Sequence, residues 1–257
     1  MVLRRGPSKQ VCSILWNRET GKFTLGQWLR GKIYERRSDI SPDGKHLIYF
    51  AMNGRWKSET RGSWTAISRA PWLKAITLYG KGDCWNGGGL FTSNTSYWLN
   101  ELHFASHFVI REERKLQRDL CYRPGQYGNE CTGVYYVRLQ RDGWTLADSI
   151  DAGGWTRTKV FEKRLPHGWI LRKWAREDID HPVGSGCYWD EHELEDPKRR
   201  LIQPHPEWEW VDFDGDWLVW AEKGCLWRAT IGRESVERAK MLQDFNDMKF
   251  EQRIAPY

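Results

Sequence analysis

The clearest pattern along the chain is a series of short apolar stretches separated by tight turns, and it is sharpest in residues 210–231. There, the Asp214-Gly215 and Lys223-Gly224 pairs separate three stretches rich in Trp, Val, Leu and Ile. Glycine adopts the positive φ that a two-residue hairpin turn requires, and aromatic and β-branched side chains suit a pleated, largely buried surface. The pattern therefore predicts an antiparallel meander of three strands.

The same combination of turn and strand recurs, which indicates that the chain repeats one kind of small sheet. Weaker copies occur in residues 41–51, 139–148 and 164–175. The SPDG sequence that begins at Ser41, followed by an apolar strand, resembles the blade hairpin of WD40-like and TolB-like β-propellers. The resemblance covers about ten residues per repeat and implies a fold class but no activity, and the His-Gly and Trp-Asp pairs of true WD40 repeats are missing from these positions.

We therefore expect an all-β protein in which antiparallel four-stranded sheets are arranged as a β-propeller of about five blades. Residues 1–257 are expected to form a single domain, with the ring closed by pairing between the N-terminal strands and a strand over residues 249–254. Residues 134–139 and 144–150 are expected to pair as strands across Asp142-Gly143. Residues 234–243 are predicted to form a short helix.

Composition adds an aromatic core and a weak charge signal to this picture. The chain has 257 residues, with 17 Trp, 10 Tyr and 9 Phe, and each aromatic ring can bury a large apolar area. A net charge of +6 allows a nucleic-acid partner but does not require one. Six scattered cysteines, no signal peptide and no long apolar run predict a cytoplasmic protein with reduced thiols, in which a Cys121–Cys131 bridge is disfavoured.

Motifs that carry catalytic or metal chemistry are not found in the sequence. The glycine-rich residues 80–91 lack the spacing of a phosphate-binding loop, and no G-x-S-x-G or H-E-x-x-H motif occurs. His103 and His107 have metal-ligand spacing only on a helix, and the surrounding residues are equally compatible with a strand. No catalytic residue, metal site or cofactor is therefore predicted.

Tryptophans beside glycine, proline or acidic residues give the strongest binding signal, because a large ring in such a loop is not obviously part of a core. Exposed Trp serves as a stacking platform for sugars and bases and as an anchor in protein interfaces. The polar residues next to these rings complete the prediction. The candidate binding residues are Asp83, Trp85, Asn86, Trp155, Trp189, Asp190, Trp208 and Trp210.

Three functions are compatible with these residues. The first is a non-enzymatic interaction module that binds a protein partner through loop aromatic and basic residues on one face. The alternative is an enzyme or binding protein for a carbohydrate or other polar small molecule in the central channel, with Asp83 and either Asp190 or Glu191 as acid and base. The third is nucleic-acid binding by a basic face, which requires an affinity that falls steeply with salt.

Overall fold

A computed structural model describes residues 1–6, 9–101, 107–125, 127, 130–180 and 186–257. The chain divides into two compact units, unit 1 (Met1–Arg138 with Met248–Tyr257) and unit 2 (Leu139–Asp247). Both are built mainly from antiparallel sheets of three to five strands, so the all-β prediction is confirmed. The single domain and the arrangement of the sheets as a ring stay predictions.

The described part of unit 1 contains three sheets, with strand orders β1-β2-β3, β10-β7-β6-β5-β4 and β11-β9-β8. Neighbouring strands are antiparallel, except that β9 and β11 are parallel. The strands are β1 (Val2–Gly6), β2 (Gln10–Trp16), β3 (Phe23–Arg30), β4 (Lys32–Ile40), β5 (His46–Met52), β6 (Ser63–Arg69), β7 (Ala75–Gly80), β8 (Gly89–Phe91), β9 (Ser96–Leu99), β10 (Phe108–Arg111) and β11 (Gln117–Arg118).

The core of unit 1 lies on both faces of β5 and β6. Leu47, Tyr49 and Ala51 point to one side of the sheet and pack in a cluster that includes Val11 of β2. Ile48 points to the other side and belongs to a second cluster. A strand that is buried on both faces must be apolar at consecutive positions, which explains the unbroken LIYFA run of β5.

The predicted hairpin at the SPDG sequence is confirmed, since β4 and β5 pair across it. Gly44 has a φ of +71° and donates its N–H to the carbonyl of Ser41 at 2.8 Å.

A helix, α1 (Cys131–Arg141), replaces the strand predicted over residues 134–139. Asp142-Gly143 is therefore the end of a helix and not a hairpin turn. Gly143 has a φ of +90° and donates to Gln140 O, and the next N–H, of Trp144, donates to Leu139 O at 3.0 Å. These two bonds form a Schellman motif, which uses glycine for the same positive φ as a hairpin turn does.

The described residues of unit 2 form two sheets, in which neighbouring strands follow chain order. The first has five strands, β12 to β16, and the second has four, β17 to β20. A short 3-10 turn (Pro166–Gly168) connects β13 to β14, as the sequence predicts for a hairpin. The strands are β12 (Thr145–Asp151), β13 (Arg157–Arg164), β14 (Ile170–Glu177), β15 (Tyr188–Asp196), β16 (Leu201–Pro204), β17 (Trp210–Asp214), β18 (Trp217–Glu222), β19 (Cys225–Ile231) and β20 (Val236–Asp244).

The predicted meander over residues 210–231 is confirmed as β17, β18 and β19. The helix predicted over residues 234–243 is wrong, because this segment forms β20 and pairs with β19 from Cys225–Asp244 to Ile231–Val236. Pairing with the open edge of β19 outweighs the local helix propensity of the segment.

The strand predicted over residues 249–254 is also wrong, since no strand follows β20 in the described residues. The C-terminal segment belongs to unit 1 through side-chain contacts instead. Gln27 donates its side-chain N–H to Arg253 O at 2.8 Å, and the ring of Phe250 lies 6.0 Å from that of Trp28. Tyr257 donates its hydroxyl to Lys74 O at 2.7 Å.

Candidate functional site

Trp85, one of the predicted binding residues, is held exposed on the glycine-rich loop between β7 and β8. Its side chain is 58% exposed, whereas residues 86–89 are buried. The carbonyl groups of Cys84 and Asn86, on either side of Trp85, both accept hydrogen bonds from the guanidinium of Arg37, the first at 2.7 Å. One buried cation on β4 therefore fixes the backbone on both sides of an exposed indole.

The other two nitrogens of the Arg37 guanidinium also donate hydrogen bonds, and two aromatic rings lie close to the guanidinium. Nη2 donates to Glu130 Oε2 and Nε to Cys131 Sγ, both at 3.2 Å. The guanidinium lies 4.9 Å from the ring of Tyr34 and 5.1 Å from that of Phe50. Burial raises the pKa of Cys131, although Arg37 opposes this shift, so the sulfur is a neutral thiol at pH 7. A buried charge is tolerated only with such partners.

Asp83, a second predicted residue, contributes to the internal structure of the same loop. Both of its carboxylate oxygens accept from Lys81 Nζ at 2.8 Å, and Oδ1 also accepts the N–H of Trp85 at 2.9 Å. Its backbone carbonyl accepts the hydroxyl of Ser63 at 2.6 Å. The carboxylate therefore positions the backbone of Trp85, and a ligand contact of Asp83 stays a prediction.

Asn86, the third predicted residue of this loop, is only 1% exposed, so its side chain is not available at the surface. Its side-chain oxygen and nitrogen have no hydrogen-bond partner within the described residues. The loop passes very close to β4, since a Cβ on Gly88 would lie 1.8 Å from the carbonyl oxygen of Arg37. Glycine is required there by the close approach of two backbones.

A second exposed tryptophan lies on the neighbouring loop, residues 53–62, between β5 and β6. Trp56 is 55% exposed, and its ring packs over Gly62, where a Cβ would lie 2.7 Å from the nearest ring atom. This loop meets the glycine-rich loop at Gly82, where a Cβ would lie 3.4 Å from the side chain of Arg61. The two loops therefore share one end of the β5–β6–β7 sheet.

We call this surface the aromatic end. It consists of the exposed residues Arg55, Trp56, Lys57, Arg61 and Trp85. Its three cations form no ion pair with an acidic residue in the described part of the chain. Glu59 is the acidic residue of the 53–62 loop, so the aromatic end carries a net positive charge.

A buried polar relay lies behind the glycine-rich loop. His107 Nδ1 lies 3.4 Å from Glu101, and His107 Nε2 lies 2.8 Å from Thr65 Oγ1. Burial acts to raise the pKa of Glu101, but hydrogen bonds from His107 and Arg118 outweigh it and lower that pKa to about 2. The ionised carboxylate accepts from Nδ1–H, so Nε2 accepts the Thr65 hydroxyl, and Thr65 in turn accepts the N–H of Gly88 at 2.8 Å.

This relay has the connectivity of a nucleophile–base–acid triad, but its geometry is that of a structural network. Thr65 is fully buried and its oxygen already accepts the Gly88 N–H, which leaves no room for a substrate carbonyl. His103, which together with His107 has metal-ligand spacing on a helix, lies outside the described residues. The relay therefore fixes the loop that carries Trp85.

The other predicted residues lie in unit 2, where strand alternation separates them. Trp155 is 60% exposed at the turn between β12 and β13. Trp189 lies on β15 directly opposite Arg176 of β14 and is half-buried, whereas the next residue, Asp190, points to the buried face. Neighbouring residues of a strand point to opposite faces, so Trp189 and Asp190 do not form one site.

Trp208 and Trp210 also differ in exposure. Trp210 is 41% exposed at the start of β17. Trp208 is only 5% exposed and stacks on His205, with ring centroids 3.7 Å apart. It packs against Trp220 as well, at 5.5 Å. Trp208 is therefore part of a core, and the prediction of an exposed platform at this position is wrong.

Sequence reasoning missed a buried lysine in unit 2. Lys173 is 0% exposed, lies 3.8 Å from Asp190 and has its Nζ 5.0 Å from the ring of Trp144. His192 donates from Nδ1 to the carbonyl of Trp208 at 3.0 Å, because a carbonyl can only accept. His192 Nε2 therefore accepts from Lys173 Nζ at 3.1 Å.

The described residues give no sign of a metal centre, since no group of three or more His, Cys, Asp or Glu side chains is arranged to hold an ion. No disulfide joins Cys121 and Cys131. Within the same residues, every helix is too short or too polar to cross a membrane. No family model, curated protein or solved structure matches this chain.

Proposed function

We propose that the protein is a non-enzymatic interaction module and that its aromatic end binds single-stranded nucleic acid. The observation that carries this proposal is Trp85, an exposed indole whose two flanking carbonyls are both bound by buried Arg37. Burying a guanidinium is costly, and an exposed indole contributes little to the core. A loop that combines both favours a role for the ring in binding, because a rigid loop loses little entropy when a partner docks.

The distribution of charge between the units favours a polyanionic partner. Unit 1 contains 24 Lys and Arg residues against 12 Asp and Glu residues, a net charge of +12. Unit 2 contains 16 against 22, a net charge of −6. A strongly positive unit attracts nucleic acid at long range.

The residues of the aromatic end match what a single strand offers. Unpaired bases stack on exposed aromatic rings, and phosphates pair with Lys and Arg. Trp56 and Trp85 provide two rings, while Arg55, Lys57 and Arg61 provide three cations beside them. Stacking does not depend on base identity, so we expect weak sequence preference.

The test is binding of a fluorescent single-stranded RNA of mixed sequence, followed by polarisation at several salt concentrations. Trp85→Ala is expected to weaken binding by about tenfold, since stacking of one base contributes about 1–3 kcal/mol. Trp155→Ala is the matched control, because Trp155 is equally exposed but lies in the acidic unit. Absence of binding at low salt, or equal losses in both variants, would overturn the proposal.

A protein partner is the second candidate, and one observation favours it. Trp189 and Arg176 are cross-strand neighbours on a partly exposed face of the β12–β16 sheet, and the Arg176 guanidinium also lies 5.6 Å from the ring of Trp174. Trp and Arg are enriched at the centres of protein interfaces. A purified protein partner whose binding is lost in Trp189→Ala and kept in Trp85→Ala would support this candidate over the first.

Catalysis by Asp83 with Asp190 or Glu191 is less favoured. Lys81 occupies both carboxylate oxygens of Asp83, and the hydrogen bond from Arg176 lowers the pKa of Glu191, which opposes a role as general acid. The arrangement of the sheets as a propeller of about five blades and the cytoplasmic location also remain proposals. They are supported by the succession of hairpins and by the scattered cysteines.

A further inference from the structure

A small cavity in unit 1, separate from the aromatic end, has a lining that combines opposite charges with an apolar floor. Its volume is about 160 Å³, enough for a small organic molecule. Ile76 and Leu116 provide apolar surface, Arg69 and Lys115 provide positive charge, and Glu113 provides negative charge. A site that is mostly apolar with a few convergent polar groups is typical of small-molecule binding.

Arg69 and Lys115 are the cations of the cavity lining. Neither Arg69 nor Lys115 forms an ion pair with a described acidic residue. Arg69 is oriented by the C-terminal residue, because its backbone N–H donates to Tyr257 Oη at 3.1 Å and its guanidinium lies 4.8 Å from the ring of Tyr257. The cavity therefore presents a positioned guanidinium whose charge is not compensated.

Glu113, the acidic residue of the cavity lining, is also positioned by hydrogen bonds. The backbone N–H of Glu113 donates to Thr77 Oγ1 at 3.0 Å, and one carboxylate oxygen of Glu113 accepts the backbone N–H of Lys115 at 3.3 Å. In the described part of the chain, no side chain donates a hydrogen bond to this carboxylate, so its remaining lone pairs are available to a ligand cation.

His46 adds an unsatisfied acceptor to the same lining. Its ring donates to the backbone of Asn94, while Nδ1 is buried and has no partner among the described residues. Burial lowers the pKa of His46, so the ring is neutral at pH 7 and the unprotonated Nδ1 is an acceptor. A buried acceptor without a partner is destabilising, and a hydrogen-bond donor on a ligand would satisfy it.

We propose that this cavity binds a small zwitterion of the α-amino-acid type. The carboxylate of such a ligand pairs with Arg69 and Lys115, its ammonium group with Glu113, and its hydrocarbon part packs on Ile76 and Leu116. An inorganic anion would leave Glu113 repelling it and the apolar floor unused. A simple amine would face two cations.

The test is titration of the purified full chain with single amino acids, acetate, inorganic phosphate and methylamine, followed by ligand-detected NMR and by the melting temperature. At least one amino acid with an apolar side chain is expected to bind with a Kd below about 10 mM, a weak but measurable affinity. Arg69→Gln and Glu113→Gln are each expected to weaken this binding by about tenfold, the loss of one charged contact. Arg114→Gln is the control, because Arg114 lies in the same segment but does not line the cavity.

Each other outcome overturns the proposal. If acetate or phosphate binds as tightly as the amino acids, or if Glu113→Gln strengthens binding, the cavity is an anion site. If methylamine binds as well as the amino acids, it is a cation site. If no ligand binds to a protein whose native fold is confirmed by circular dichroism, the cavity has no such ligand.

Discussion

Arg37 in unit 1 and Lys173 in unit 2 are both buried, and these two cations have different roles. Arg37 in unit 1 binds two backbone carbonyls of an irregular loop. Lys173 in unit 2 binds His192 on the neighbouring strand, where the sheet ladder already fixes the backbone. The first cation holds a loop in a shape that exposes Trp85, whereas the second lies in a core. A buried charge therefore indicates a functional surface only where it determines the conformation of an otherwise irregular segment.

The two units also differ in net charge. The value of +6 for the whole chain is the sum of a unit at +12 and a unit at −6. This difference is not visible in the sequence alone, because basic and acidic residues are mixed along both units. Once the boundary between the units is known, the basic unit is also the one that presents two exposed tryptophans on adjoining loops.

The largest effect is expected from Arg37→Met. The change leaves Glu130 and the carbonyls of Cys84 and Asn86 without their buried donor, so it should lower the free energy of unfolding by about 3–5 kcal/mol. Denaturant unfolding measures the loss, and hydrogen exchange should show faster opening of residues 80–88. A loss below about 1 kcal/mol would mean that Arg37 does not hold the loop.

Lys173→Met tests the contrast between the units through RNA binding. A methionine fills the space of the lysine stem but leaves Nε2 of His192 and the buried carboxylate of Asp190 without the lysine, so the free energy of unfolding should fall by about 3 kcal/mol. The RNA affinity of the folded protein should stay unchanged. If Lys173→Met weakens RNA binding by the folded protein, the distinction between the two cations is wrong.

The residues at the turns explain which strands and helices the sequence could predict. Asp214-Gly215 and the SPDG hairpin were predictable because glycine and strand pattern agree there. Asp142-Gly143 was not, because a Schellman motif and a hairpin turn both require positive φ at glycine. The choice between them depends on the tertiary burial of α1, which a run of β-branched and aromatic residues does not reveal.

The candidate site was predictable only at its surface. Trp85 stood out because an aromatic residue interrupts a glycine-rich loop. Arg37 did not, because its hydrogen-bond partners lie 47 to 94 residues away along the chain. The burial of Lys173 was weakly indicated by the sequence. Lys173 lies two residues from each of the buried residues Leu171 and Ala175, so it must share their face of β14.

Acid should weaken unit 1 through the relay behind the loop. The pKa of Glu101 is about 2 in the folded protein and 4.5 as a free side chain, so its stabilising effect is complete above pH 4.5 and is lost as the pH falls toward 2. Solvent limits the contribution to about 2 kcal/mol or less. The free energy of unfolding of Glu101→Gln should thus approach that of the wild type on acidification. A constant difference between pH 5 and pH 3 would contradict this role.

The smallest effect on folding is expected from neutralising the cations of the aromatic end. Replacing Arg55, Lys57 and Arg61 by Gln should lower the free energy of unfolding by about 1 kcal/mol at most, because all three are exposed and the contact of Arg61 with the ring of Phe108, at 4.7 Å, is weak at an exposed site. The logarithmic salt dependence of RNA binding should nevertheless become shallower by about 2, since each phosphate contact on a single strand contributes about 0.7. The same number of substitutions at Arg157, Arg164 and Arg200 of unit 2 is the control.

The most direct measurement is ultraviolet cross-linking of a single-stranded RNA to the full chain, with the linked peptides identified by mass spectrometry. Cross-links are expected within residues 53–62 and 80–88, and they should be lost in Trp56→Ala and Trp85→Ala respectively. Cross-links confined to residues 139–247, or none under conditions where polarisation shows binding, would contradict the assignment of nucleic-acid binding to the aromatic end of unit 1.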